Sequence, residues 1–357
     1  MSESVTVCVI GMHRSGTSLL ARLLNLAGVE LGSSGRLAPA AEDNQRGFWE
    51  HLPLRGVNED LLQAFGGSWM DPPTLPDDWL RDPRVGPIRA RAREILARDF
   101  AGASVSGFKD PRTSLVTDFW RELLPGRIVW IVAIRNPLEV CDSLKRRDGL
   151  PSVLAEDLWC TYTRAALLAT QPEERVIVHY EHLLARPVEE VTRIARTLGL
   201  PEPSAEVRAT MREESNGSLR HHLHDMEEVA HSEDLRPGTR ELYRRLWVGE
   251  EPAPLRDPAE ADESGFRRAF VGLRGEVARL VDEKDRMRHA LTDREQQASE
   301  AREQLDEASQ RYNREVQEWR AEALVLRHEN GLLKTRTEYR FGERLRRVWR
   351  RLRRAGR

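Results

Sequence analysis

The stretch Gly11-Met12-His13-Arg14-Ser15-Gly16-Thr17-Ser18 decides how this chain is read. Ahead of it, Val5, Val7 and Val9 alternate with other residues at the period of a buried strand. Behind it, Leu19, Leu20, Leu23, Leu24 and Leu26 recur at helical spacing, and Gly28 offers a stop. A strand, a glycine-bounded loop and a helix form a phosphate cradle, because backbone N–H groups and the positive helix end converge on one anion. His13, Arg14, Ser15, Gly16, Thr17 and Ser18 are the candidate binding residues. A nucleotide triphosphatase would carry Lys after the second glycine, where this chain has Thr17; its cation stands forward, at Arg14. Taken alone, the loop leaves open a tight turn around some other phosphate ligand.

Three further segments carry chemistry. Residues 128–134 form an apolar strand that runs into Arg135-Asn136-Pro137. Asn136 can cap the helix that Pro137 opens, and Ser143 falls two turns along it. An arginine at a strand end and a serine on the next helix can converge on one anion. Gly107-Phe108-Lys109-Asp110-Pro111-Arg112 closes another apolar strand, with Lys109 at its end. A strand at 175–180 leads into Tyr180-Glu181-His182-Leu183 and an apolar helix.

These segments together resemble the sulfotransferases. Arg-Ser-Gly-Thr-Ser after a strand resembles their 5′-phosphosulfate loop, and the Arg form is most similar to the tyrosylprotein and carbohydrate branches. Arg135 with Ser143 resembles their 3′-phosphate site, and Lys109-Asp110-Pro111 resembles the motif whose lysine stabilises the transition state. The resemblance, over residues 5–200, implies 3′-phosphoadenosine-5′-phosphosulfate as donor and Tyr180 near the nucleotide. It also implies that Glu181 is structural and that no metal is needed. The family's late 3′-phosphate loop has no clear counterpart; Ser218-Leu219-Arg220 is the stand-in, with Arg220 as the candidate. Charge building on the bridging oxygen would be met by Arg14 and Lys109. A hydroxyl acceptor needs a general base, and Gly47-Phe48-Trp49-Glu50-His51 offers Glu50, with apolar neighbours expected to raise its pKa. His51, Asp60 and Glu59 are the other candidates, and Arg112 is a residue that could serve the acceptor.

The expected fold is α/β, a three-layer P-loop-like parallel sheet flanked by helices, followed by a long α-helical coiled coil. Strands are expected at 4–10, 105–109, 128–134 and 175–180, and 66–87 reads as an ordered loop or substrate-side lid. The expected division is a sulfotransferase domain at 1–248, a linker at 249–263, a coiled coil at 264–338 and a basic amphipathic tail helix at 339–357. No run of about eighteen apolar residues exists to span a membrane, and the N-terminus does not read as a signal peptide. Cys8, Cys141 and Cys160 lie far apart in apolar surroundings, which suits a reducing, cytoplasmic setting. His221, His222 and His224 lack the partner spacing of a metal site.

After residue 264 a seven-residue ladder runs through Phe270, Val277, Lys284, Leu291, Ala298, Leu305, Tyr312, Trp319, Leu326 and Leu333. Leu273, Leu280 and Met287 flank its first part; Arg294, Ala301, Ala308 and Glu315 flank its second. The pattern predicts a homo-oligomeric coiled coil, tighter early than late, of two or three strands. Residues 340–357 hold nine Arg and one Glu, in a chain of net charge −2. With Phe341, Leu345, Val348, Trp349 and Leu352 on one face, this tail reads as a peripheral binder of an anionic membrane surface rather than of nucleic acid. That location suggests a glycan or glycolipid acceptor. Two readings compete with sulfotransfer: a P-loop kinase or nucleotide switch, and a coiled-coil adaptor beside a non-catalytic enzyme fold.

Overall fold

The structure is a computed structural model and describes residues 4–39, 47–215, 224–250, 264–333, 349–350 and 353. Four strands make one parallel sheet in the order β2-β1-β3-β4: β1 (Val5–Gly11), β2 (Val105–Lys109), β3 (Arg127–Ile134) and β4 (Arg175–His179). Val9 pairs with Lys109 on one side and Ile131 on the other; Ile134 pairs with His179. The carboxyl ends of all four strands therefore share one edge, where ligands bind in open parallel sheets.

Period-2 alternation along β1 divides the core. Val5, Val7 and Val9 face one layer, packed with Leu20, Leu23 and Leu24 of α1 (Thr17–Leu26) and Val191, Ile194 and Leu198 of α8 (Pro187–Leu198). Cys8 and Ile10 face the other. There they meet α2 (Leu52–Ala64), α3 (Val85–Asp99), α4 (Thr117–Leu123), α5 (Pro137–Asp148), α6 (Ser152–Leu168) and α11 (Pro237–Trp247). With helices on both faces, β1 is buried along its whole length. The short helices α7 (Tyr180–Ala185), α9 (Ala205–Glu214) and α10 (Met226–His231) complete this part.

The observed strands differ from expectation by no more than one residue at an end. Residues 66–87 are indeed a well-ordered loop, but α3 begins inside them at Val85, and Trp69, Met70 and Trp79 are buried. The chain divides into units Met1–Val281 and Asp282–Arg357. A single 70-residue helix, α12 (Ser264–Leu333), spans that division. At 1.5 Å per residue it is roughly 100 Å long. Residues 251–263 of the expected linker and most of the basic tail lie outside the described residues; there Arg353 lies 5.2 Å from the Trp349 ring centroid. Among the described residues no helix is long and apolar enough to cross a membrane. The three cysteines are free, Cys160 being only half-buried.

Candidate active site

The loop after β1 turns left-handed twice, at Arg14 (φ 67°) and Gly16 (φ 81°). At Gly16 the fold admits no side chain: a Cβ there would run into the ring of Tyr180, which opens α7 at the end of β4. The loop is also pinned from the turn after β2, because the Gly11 amide donates to Ser114 Oγ at 2.9 Å. Ser15 Oγ is buried and has no hydrogen-bond partner among the described residues. A hydroxyl buried at a helix start calls for an oxygen ligand, and a phosphate or sulfate group fits that need. Ser18 Oγ, one residue into α1, instead donates to the Phe48 carbonyl at 3.0 Å, and Thr17 opens the helix.

Arg14 is where the first two segments meet. Its Nε donates to Ser143 Oγ at 2.9 Å, and its carbonyl accepts from Arg135 Nη1 at 2.9 Å. Asn136 caps α5 as expected, accepting from the Leu138 amide at 2.9 Å. Ser143 thus engages Arg14, while Arg135 reaches across to the loop. Three further contacts fix Arg135. Nε and Nη2 meet Glu139 at 2.9 Å, the guanidinium lies 4.5 Å from the Tyr180 ring centroid, and its carbonyl accepts from Trp159 Nε1 at 3.0 Å. Glu181 holds the Asn136 amide at 2.9 Å through one carboxylate oxygen and leans on Tyr243 OH at 3.3 Å.

Lys109 is the most buried cation among the described residues, 2% exposed, and its Nζ donates to Glu50 Oε1 at 2.8 Å. Burying a lone ammonium costs several kcal/mol, so the carboxylate opposite it is required by the fold as well as by any chemistry. Glu50 also lies 3.6 Å from Arg55. Burial pushes the Glu50 carboxyl up, but Lys109 and Arg112 outweigh it and hold the group below its ordinary 4.5. This corrects the expectation of a raised pKa: apolar neighbours are present, yet the lysine partner stands closer than they do. Asp110, beside it, goes the other way. Burial and the charge of Glu50 raise it against the pull of Arg112 and Asn58. Asp110 takes no part in pairing Lys109. It caps the turn that follows, accepting from the Arg112 amide at 3.0 Å and Arg112 Nη1 at 3.1 Å. Arg112 is buried and also pairs with Glu59 at 3.2 Å, which engages both it and Arg55.

Of the other base candidates, Glu59 shares Arg55 with Glu50, while His51 and Asp60 pair elsewhere. His51 is buried, 3.3 Å from Asp99, and burial pushes its pKa down to about 4. Asp60 pairs with Arg91. His13 packs 4.4 Å from the Trp69 ring, and its Nε2 is buried without a partner. Burial first, then Arg112, Arg147, Lys109 and Arg14, hold it well below 6.5, so the imidazole is neutral at neutral pH. Arg220, His221 and His222 lie outside the described residues. His224, the remaining member of that cluster, meets Asp142 and Glu228 at 3.3 Å. Among the described residues no three His, Cys, Asp or Glu side chains are placed to hold a metal ion.

Sequence reasoning missed several residues. Asn58 donates to Asp110 at 2.8 Å and Thr113 at 2.9 Å, and accepts from Trp120 Nε1 at 2.7 Å. An asparagine on the apolar stripe of Leu54, Val57, Leu61 and Leu62 was the available signal. Glu139, four residues after Arg135, was legible as an i,i+4 partner. Ser114 and Trp69 left no local signal.

A family model for the sulfotransferases matches residues 6–204. This chain belongs to the sulfotransferase family. Of the candidate-site residues described above, Tyr243 of α11 and His224 with its α10 partner Glu228 lie outside that span. Similar solved structures include sulfotransferase STF1 from Mycobacterium tuberculosis H37Rv, 21% identical with TM-score 0.32, over 59% of this chain and 71% of that one. The sulfotransferase domain of the Synechococcus PCC 7002 olefin synthase is 18% identical with TM-score 0.38, over 78% and 95%. Mouse sulfotransferase SULT7A1, complexed with PAP, is 11% identical with TM-score 0.30, over 80% and 89%. Comparison with curated proteins gave no match.

Proposed function

We propose that this chain transfers a sulfuryl group from 3′-phosphoadenosine-5′-phosphosulfate to a hydroxyl of a glycan or glycolipid acceptor. One observation carries the reading: the guanidinium of Arg135, at the end of β3, reaches the carbonyl of Arg14 in the loop after β1 at 2.9 Å. That contact brings the β3-end arginine beside the glycine loop, which supports one ligand meeting both basic elements. The buried, unpartnered Ser15 Oγ supports an anion there.

The donor supplies an activated sulfuryl group attached through a bridging oxygen. Ser15, Gly16, Thr17 and the start of α1 hold its 5′ end, and Arg135 with Ser143 holds the 3′ phosphate. Glu50, a carboxylate at neutral pH, accepts the acceptor's hydroxyl proton. The acceptor oxygen bonds to sulfur as the sulfur–bridging-oxygen bond breaks. Lys109 and Arg14 face the charge left on that oxygen, inside a water-poor site where fixed cations act strongly.

The remaining parts of the reading concern α12 and the tail. The ladder along α12 pairs copies of this chain as a coiled coil, and the arginine-rich 339–357 segment rests on an anionic membrane surface at the cytoplasmic side. Calorimetry with 3′-phosphoadenosine-5′-phosphate tests the donor; tighter binding of ATP overturns it. A labelled-sulfate transfer screen across glycans and glycolipids tests the acceptor. Co-sedimentation with anionic liposomes, lost on removing 339–357, tests the tail.

A further inference from the structure

We propose that α12 pairs with a second copy of itself in the antiparallel sense, centred near residue 303; this rests on the coiled-coil reading above. The face in question is exposed: Met287 is 63%, Leu291 58%, Leu305 69% and Tyr312 53% accessible. Between residues 284 and 326 four charged residues share its seam. Lys284 lies on the ladder, and Arg294, Glu315 and Glu322 occupy the companion positions three residues beyond a ladder residue.

Direction decides what each of these charges meets. In a parallel, in-register pair every seam residue faces its own copy. Lys284 would then meet lysine, Arg294 arginine, and Glu315 and Glu322 glutamate, four like-charge layers in a partly dry seam. In an antiparallel pair a ladder residue faces a companion residue of the partner. Centred near 303, Lys284 meets Glu322, Met287 meets Trp319, and Arg294 meets Tyr312. Those are an ion pair, a sulfur–aromatic contact and a cation–π contact. At the centre Ala301 meets Leu305 and Ala298 meets Ala308, small against large and small against small. Between residues 284 and 322 only the Leu291–Glu315 layer sets a charge against an apolar residue, with Arg288 at the flank beside that glutamate; beyond that span Val277 meets Glu329. Sliding the pair by one heptad in either direction keeps an ion pair at Lys284, with Glu315 or Glu329, but spoils other layers. One slide sets Arg294 against Leu305; the other moves Glu322 onto Leu291 and Glu315 onto Ala298. The partner is a second copy because the sequence complements itself in reverse.

Two full-length variants, Ala298→Cys and Ala308→Cys, carry different tags and are expressed separately and together. Under mild oxidation the co-expressed pair should form a mixed disulfide dimer, and neither variant alone should exceed the unchanged chain. Charge reversal gives a second readout. Lys284→Glu should weaken dimerisation roughly tenfold or more, and adding Glu322→Lys should restore it. Cross-links within a single variant, or a Lys284→Glu chain that dimerises as before, overturn the antiparallel arrangement alone. A chain that is monomeric by light scattering sinks the coiled-coil reading with it. Neither result bears on sulfate transfer, which is measured separately.

Discussion

Two halves of the candidate site are held in different ways. In the donor half, Arg14, Ser143, Arg135 and Tyr180 hold one another through single hydrogen bonds and a stacked ring, with one buried ion pair, Arg135–Glu139, behind them. In the transfer half, Glu50–Lys109 and Asp110–Arg112 are two buried ion pairs, joined through Arg55 and Glu59, and the second extends to Asn58 and Trp120. Neutral and charge-assisted hydrogen bonds on a loop can exchange a partner for a ligand at small cost. A buried ion pair cannot lose a member so cheaply. The donor half is therefore suited to binding, and the transfer half to holding a fixed electrostatic field.

Substitutions can break that division. Glu50→Gln should lower kcat on the order of 10²–10⁴-fold, the range for a general base, with calorimetric affinity for 3′-phosphoadenosine-5′-phosphate little changed. Lys109→Met, which fills the space without the charge, should cost roughly 10²–10³-fold in kcat. A large loss of nucleotide affinity in either variant would show that the halves are not separate. Arg135→Ala should instead weaken that affinity about 30-fold or more, since it removes a buried, hydrogen-bonded charge. Ser143→Ala, which removes one hydrogen bond, should weaken it only about fivefold.

The smallest effect is thermal and depends on pH. Glu50 is held below its ordinary 4.5 in the folded chain, so its contribution to stability is present above that value and lost as pH falls through the folded pKa. The melting temperature of the unchanged chain should exceed that of Glu50→Gln at pH 7, by about 2–4 °C per kcal/mol lost. That gap should close as pH falls below 4.5. A gap that stays constant into acid would remove the Lys109–Glu50 pair from the account of stability.

The donor half was largely legible because its signals are local. A period-2 strand, a glycine loop, a cap at Asn136 and a serine at fixed spacing each declare themselves within a few residues. Nothing local, however, reveals that Arg14 and Trp49 adopt positive φ (67° and 58°), a conformation set by the packed surroundings. The transfer half was legible as residue types and illegible as electrostatics. Glu50 and Lys109 are far apart in the chain, and the sign of the carboxyl's pKa shift follows from a 2.8 Å contact that only the closed sheet creates. For the same reason Ser114 at the Gly11 amide and Trp159 at the Arg135 carbonyl escaped notice. Along α12 the balance reverses: its repeat was plain in the sequence, while the structure adds its length and its exposed apolar face.

The ring of Tyr180 fills the volume a methyl on residue 16 would need, and it also seats the Arg135 guanidinium. Positions 16, 135 and 180 are consequently one unit of inheritance. A sequence drifting at any one of them would have to drift at the other two before its grip on the nucleotide returned, so redesign of donor preference has to move all three together.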